Sequence, residues 1–403
     1  MMKIAVFHNL PSGGAKRSLH EWSRYLSKNH HLDLYSYNST QEEFLDVRSF
    51  MKNVFVYGRH LPRSTGYSLY KKARLLMELV EATKRMAQDI DSRGYDLAFV
   101  NHCAYIQSPL VLRYLKIPTV YFCQEPFRRV YEPRPWDTAS ASSFLKDLLI
   151  RGTDIFLKRL DQHNIKHADM VLANSNYSKE AIYRVYDKTA RLNYLGVDTE
   201  RFFKMDGARK KLKVLSVGRL HPSKGHDFII RSLALLPENR RPALDIICDQ
   251  ADEAYLTSLK NLAAASGVGC RFLSVSAADM PLVYNEALLT LYAPVMEPLG
   301  LVALESLACG VPVVGIREAG VRETIRDGET GLLTERDPED FAKAVLFLLE
   351  HEVIRERLGK NGIEETRKHW SWQKSSENLE EQMARLLKNN NHSHSSKLEV
   401  AGI

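Results

Sequence analysis

The 403-residue sequence is short of cysteine, with five residues at Cys103, Cys123, Cys248, Cys270 and Cys309, scattered and odd in number. No two form a C-x-x-C pair, which excludes a zinc ribbon or disulfide framework and points to a reducing compartment. No apolar run approaches the ~18–20 residues that a membrane span needs. No basic segment leads into an apolar one, so no secretory leader is expected ahead of the strand-like run Lys3–Phe7. These absences predict a cytoplasmic protein, soluble or held at the cytoplasmic face of a membrane. No G-x-G-x-x-G follows a strand, which disfavours a nicotinamide-dependent dehydrogenase. Internal repeats of short period are missing as well.

What is present is an ordinary globular composition, 44% hydrophobic and 26% charged, over a length that suits two domains. The net charge of +7 is uneven: residues 1–200 hold 29 Lys/Arg against 21 Asp/Glu, and residues 201–403 hold 27 against 28. The stretch from Gly58 to Met77 carries Arg59, Arg63, Lys71, Lys72 and Arg74, no acid, and interleaved Tyr67, Leu69, Tyr70, Leu75 and Leu76. Such a segment suits an anionic membrane surface, or a solvated face over a core stripe. No recognition motif accompanies the charge, so nucleic acid is not an expected partner.

Apolar runs at Lys3–His8, Leu97–Val100, Thr119–Phe122 and Met170–Ala173 read as strands, with helical stretches such as Ala15–Lys28 between them. Asp198–Leu212 is polar and basic and reads as a linker. The pattern then restarts, with strands at Val214–Val217, Ala243–Cys248, Leu288–Tyr292 and Val311–Ile316, and helices at Gly225–Leu236 and Gly300–Ala308. The alternation predicts α/β architecture in two doubly wound domains, 1–198 and 199–372. A final helix at about 373–388 and a disordered tail at 389–403 complete the expectation.

Ligands of open α/β sheets bind beyond the carboxyl ends of strands, and three loops of this kind stand out. Ser12-Gly13-Gly14 follows the first strand and opens a helix, where glycine lets backbone approach an anion. Val217-Gly218-Arg219-Leu220-His221-Pro222-Ser223-Lys224-Gly225 brings two cations, five residues apart, to a turn before a helix. That arrangement suits a diphosphate, or a surface turn with solvated cations. Glu297-Pro298-Leu299-Gly300 precedes an apolar helix that contains Glu305. A carboxylate buried there needs a partner, either ligand hydroxyls or an internal cation.

The Glu-x7-Glu spacing of Glu297 and Glu305, the C-G-V-P-V-V that follows, G-R-L-H-P-S-K-G at 218–225 and G-V-R-E-T-I-R-D-G-E-T-G-L-L at 320–333 together resemble the nucleotide-sugar glycosyltransferases of family 4. Leu195-Gly196-Val197-Asp198 and Arg201-Phe202 match the family's interdomain passage. The resemblance implies the GT-B fold, two Rossmann-like domains facing a cleft. It implies a retaining enzyme that moves a sugar from a nucleotide-sugar donor without a metal or other cofactor. Glu297 would then bind donor-sugar hydroxyls and Glu305 the ribose. Arg219 and Lys224, with the backbone amides of Leu301 and Val302 beyond Gly300, would stabilise the departing diphosphate. Gly14 would let the first domain's loop reach the phosphates, and the helix from Trp372 would return to the first domain.

One departure concerns Tyr121-Phe122-Cys123-Gln124-Glu125-Pro126, which puts Gln124 where the family often has His beside the sugar. Glutamine can bind a hydroxyl but cannot titrate, so a front-face displacement, in which the leaving phosphate takes the acceptor's proton, fits best. Glu125 and His102 are further polar candidates for sugar or acceptor contact. The acceptor, a glycan or lipid-linked glycan, would meet first-domain loops such as Arg128 to Trp136. Asp89-Ile90-Asp91 has the form of the metal-binding D-x-D of other glycosyltransferases but falls inside a helical stretch, and reads as surface charge. A GT-B epimerase and a non-catalytic sugar-nucleotide-binding protein are the alternatives. Acceptor-dependent release of diphosphate separates them, and retention of both glutamates and both cations argues against the second.

Overall fold

The computed structural model describes residues 1–58, 61, 69–132, 144–207, 211–248 and 252–400. Arg59 and Arg63, residues 133–136 of the expected acceptor loop, and the side chains of Lys71 and Lys72 lie outside that description. Strands sandwiched between helices are buried on both faces and therefore need near-continuous apolar runs. The first sheet is built from β1 (Lys3–Asn9), β2 (His31–Tyr37), β3 (Asn53–Tyr57), β4 (Leu97–Cys103), β5 (Thr119–Phe122), β6 (Met170–Ala173) and β7 (Ala190–Leu192). All its pairings are parallel, in the order β3-β2-β1-β4-β5-β6-β7. Trp22, on the helix Gly14–Leu26, is fully buried and meets Phe122 and Phe99 edge-on at 4.6 and 5.9 Å.

The second sheet repeats the plan with β8 (Lys213–Val217), β9 (Ala243–Ile247), β10 (Cys270–Leu273), β11 (Leu289–Tyr292), β12 (Val313–Ile316) and β13 (Gly331–Thr334). It is again parallel, in the order β10-β9-β8-β11-β12-β13. In both sheets the order reverses between the first and the fourth strand. A crevice opens at such a switch point, beyond the strand ends.

The chain divides into two units, Met1–Tyr194 with the C-terminal segment from Ser375, and Leu195–Lys374. The boundaries fall a few residues from those expected at 198 and 372. The reason is local: Val197 bridges Ser371 and donates its amide to the Trp370 carbonyl at 2.7 Å, which draws 195–197 into the second unit. The last helix, Trp372–Val400, serves the first unit: Ser375 Oγ accepts from the Trp22 indole at 2.9 Å and donates to the Tyr194 carbonyl at 2.5 Å. Glu380 meets His30 at 2.9 Å, and Leu379, Met383 and Leu386 make the helix's buried stripe. The helix runs on through residue 400 where a disordered tail was expected from 389. No proline or glycine occurs between Trp372 and Gly402 to stop it.

Candidate active site

In the second unit β8 and β11 are neighbours at the reversal, and the two loops beyond them carry the predicted residues. Gly218 follows β8, and the stem of Lys224 packs against it, 3.3 Å from where a β-carbon would stand. The short turn Pro222–Lys224 is capped by His221, whose ring nitrogen accepts from the Ser223 amide at 3.2 Å. Gly225 ends the turn at φ +69°, and a β-carbon there would fall 2.0 Å from the Ala293 carbonyl oxygen beyond β11. The Ser223 carbonyl accepts from the Val295 amide at 2.8 Å. The two loops are thus locked backbone to backbone.

That lock brings Lys224 to Glu297: its Nζ donates to Glu297 Oε2 at 2.7 Å, with both side chains partly exposed. Arg219 lies on the same turn as an exposed cation, and among the described residues no side chain pairs with its guanidinium. Gly300, at φ +105°, starts the helix Leu301–Ala308. The first-turn amides of Leu301 and Val302 have no acceptor within the helix, which makes this end attractive to an anion. Glu305, the fifth residue of that helix, is 6% exposed, and Tyr284 donates its phenol to Oε2 at 2.9 Å. Tyr292, at the end of β11, links the two glutamates. It is buried, donates to Glu297, and feels the charges of both Glu297 and Glu305. Burial first and those two carboxylates second push its pKa well above the phenol range.

Two family models match in succession, "Glycosyltransferase Family 4" over residues 12–201 and "Glycosyl transferases group 1" over residues 198–365. The chain belongs to the family 4 glycosyltransferases. A GDP-mannose-dependent alpha-(1-6)-phosphatidylinositol monomannoside mannosyltransferase of Mycolicibacterium smegmatis is 31% identical over 51% of this family 4 chain and 59% of that protein. A D-inositol 3-phosphate glycosyltransferase of Corynebacterium efficiens is 34% identical over 61% of the chain and 56% of that protein. The chain thus spans less than two thirds of the curated relatives it matches. Sucrose-phosphate synthase from Thermosynechococcus elongatus superposes at TM-score 0.75 and 19% identity, covering 96% of this chain and 100% of that one. Anabaena HepE, solved with UDP and glucose, gives 0.69 and 18% over the same shares. At such identities these structures establish the fold, GT-B.

In the first unit of the family 4 chain, Gly14 opens its helix after Gly13 at φ 138°. Gln124, beyond β5, donates its amide to Ser18 Oγ on that helix at 3.2 Å, so these two predicted positions share one neighbourhood. Glu125 faces Arg128 at 3.7 Å, and its carbonyl accepts from Gln107 at 3.0 Å. His102, on β4, is lowered to about 4 by burial and by the neighbouring His8, so it is neutral at pH 7. Asp89 and Asp91 are not simply surface charge. Asp89 accepts from Tyr35, Tyr57 and Arg93 at 3.2, 3.0 and 2.8 Å, and Asp91 accepts from the Lys116 amide at 3.0 Å.

Sequence reasoning missed the residues that hold the site. Tyr284 and Tyr292 are single tyrosines at the ends of apolar stretches, with nothing to set them apart. His226 could have been suspected from its place beside Gly225 at a helix start. It is buried, and its Nε2 lies 3.3 Å from the Arg219 carbonyl and its Nδ1 3.0 Å from Ser216 Oγ. A carbonyl only accepts, so Nε2 carries the proton and Nδ1 accepts from the serine. Burial lowers this imidazole to about 4 from 6.5. Because the folded-state value is depressed, its contribution to stability is present above pH 6.5 and is lost as pH falls through 4, by about 3 kcal/mol. Urea unfolding of the wild type and His226→Gln at pH 7 and pH 4 measures this. The variant is expected to lose less stability on acidification, and equal losses would contradict the assignment.

Proposed function

We propose that this protein transfers a sugar from a nucleotide-sugar donor to a glycan or lipid-linked glycan, with retention of configuration, in glycan or polysaccharide biosynthesis. The observation that carries the reading is the Lys224–Glu297 pair at the switch point of the second sheet, beside the free N-terminus of the Leu301–Ala308 helix. One end of that constellation suits a diphosphate and the other suits hydroxyls. Arg219, Lys224 and the amides of Leu301 and Val302 stabilise the charge that grows on the leaving diphosphate. Glu297 accepts from hydroxyls of the donor sugar, and Glu305 from the ribose. The acceptor hydroxyl attacks the anomeric carbon on the face from which the diphosphate departs. The carbon–phosphate-oxygen bond breaks, and the acceptor's proton passes to the leaving phosphate oxygen. On the first unit, Gly14 leaves its loop open to an anion, and Gln124, Glu125 and His102 offer hydrogen bonds to a sugar or acceptor. Burial makes the His102 imidazole a weak base, and the Gln124 amide does not titrate, so neither is a strong base, which favours the front-face course.

No metal or other cofactor enters this scheme. The names of the relatives, one acting on a phosphatidylinositol mannoside and the other on an inositol phosphate, favour a polar headgroup-like acceptor. The surplus of cations in residues 1–200 supports work at an anionic membrane on the cytoplasmic side. The test is release of nucleoside diphosphate from UDP-, GDP- and ADP-sugars, with and without inositol phosphates and lipid-linked glycans, in EDTA. Acceptor-dependent release that EDTA leaves unchanged is expected. A strict requirement for Mn²⁺ would sink the metal-free mechanism, and release indifferent to every acceptor would sink transfer itself.

A further inference from the structure

The helix Phe144–Ile165 carries an exposed apolar pair, separate from the basic stretch at Gly58–Met77. Ile155 and Phe156 stand 55% and 49% exposed, although both belong to residue types that folding usually covers. Arg151 and Arg159, one turn to either side of Ile155, and Lys158 are exposed with them. Positions four apart lie on one face of a helix, so the apolar pair sits between cations. Among the described residues no helix is long and apolar enough to cross a membrane, so such a face suits lying on a surface rather than spanning one.

A second observation lies at the end of the same helix. A cavity of about 340 Å³ opens there, with Gln162, Lys166, Arg184 and Lys188 in its wall and Asp187 as the one acid among its lining residues. His167, next to Lys166, is held below its usual pKa by burial first and then by the neighbouring His163, Arg113 and Lys188. A cation-lined recess beside an apolar, cation-flanked helix face matches the two parts of an anionic lipid, acyl edge and phosphate headgroup.

We infer that the face of helix Phe144–Ile165 centred on Ile155 and Phe156 docks on an anionic bilayer, with the Lys166–Arg184–Lys188 recess receiving a lipid phosphate. This gives the membrane contact proposed above a place, and rests on that part of the reading alone, not on the chemistry of transfer. Each cation near an anionic surface adds about fivefold to binding, and the apolar pair adds at least about tenfold.

Flotation of the full chain with phosphatidylcholine vesicles, with and without phosphatidylglycerol, tests it. Binding is expected only with phosphatidylglycerol and should weaken as salt rises. Ile155→Ser with Phe156→Ser should lower the partition constant about tenfold, and Arg151→Gln with Arg159→Gln about twenty-five-fold. Lys166→Gln with Arg184→Gln should remove most of the preference for phosphatidylglycerol. Wild-type partitioning by these surface variants would overturn the proposal, as would failure of the wild type to float. A dimer in light scattering that the Ile155/Phe156 variant dissolves would assign the face to a second copy instead. Donor hydrolysis in solution should be unchanged in all three variants, so a negative vesicle result leaves the transfer chemistry standing.

Discussion

Arg219→Ala is expected to lower kcat by about a thousandfold while leaving the unfolding midpoint almost unchanged. A cation aimed at charge that develops during reaction is worth about 10²–10³ in rate, and arginines in phosphoryl chemistry reach higher values. The small structural effect follows from the turn. Its shape comes from Gly218, Gly225 and the hydrogen bond that His226 donates to the Arg219 backbone carbonyl. The guanidinium is exposed and has no side-chain partner among the described residues. An exposed side chain of that kind contributes within about 0.5 kcal/mol of nothing to stability. Lysine at 219 should restore part of the rate by returning the charge without the planar fork. Steady-state kinetics beside thermal melts decide the matter, and near-wild-type kcat in the alanine variant would remove Arg219 from the leaving-group role.

Glu297→Ala is the second large effect, and it should separate catalysis from nucleotide binding. Without donor, Glu297 is held by Lys224 at 2.7 Å and by the Tyr292 phenol. The pair is close to neutral, so Lys224 presents only part of its charge to an approaching diphosphate. Removing the carboxylate deletes the acceptor for sugar hydroxyls. Two charge-assisted hydrogen bonds at about 2 kcal/mol each correspond to roughly 10³ in kcat/KM. The same change leaves Lys224 a full cation, so free nucleoside diphosphate should bind as tightly as before or more tightly. Calorimetric titration with UDP and GDP beside transfer assays reads both quantities. Weaker diphosphate binding together with intact transfer would reverse the roles given to this pair.

The sequence exposes some of this structure because of how the strands are buried. β4, β5, β6, β11 and β12 are covered on both faces and write themselves as apolar runs. β2 is equally covered but reads His-Leu-Asp-Leu-Tyr-Ser-Tyr, because Asp33 is satisfied inside. Burial raises its pKa, yet hydrogen bonds from Tyr95, His31 and Asn53 outweigh that and hold the carboxyl below its usual range. Those partners are 62, 2 and 20 residues away, so no local window announces the strand. β3 is an edge strand that keeps an apolar run, Val54-Phe55-Val56-Tyr57, although most of its positions are exposed. The candidate site divides the same way. Glu297, Glu305, Arg219 and Lys224 are local to short motifs and could be named. The contact between Lys224 and Glu297, 73 residues apart, and the seating of Glu305 on Tyr284 depend on strand order, which spacing does not encode.

The return of the last helix to the first unit also sets an order of assembly. Trp22 meets Ser375 across 353 residues, and His30 meets Glu380 across 350. Everything from Leu195 to Lys374 lies between the first unit's own parts. At about 5–20 residues per second, a ribosome takes on the order of ten to forty seconds to make that insert. Throughout that interval the Trp22 indole nitrogen and the groove for Leu379, Met383 and Leu386 wait uncovered, while the second unit has all its strands in hand first. The unit whose synthesis begins before the other's therefore closes only after all of the other has been made.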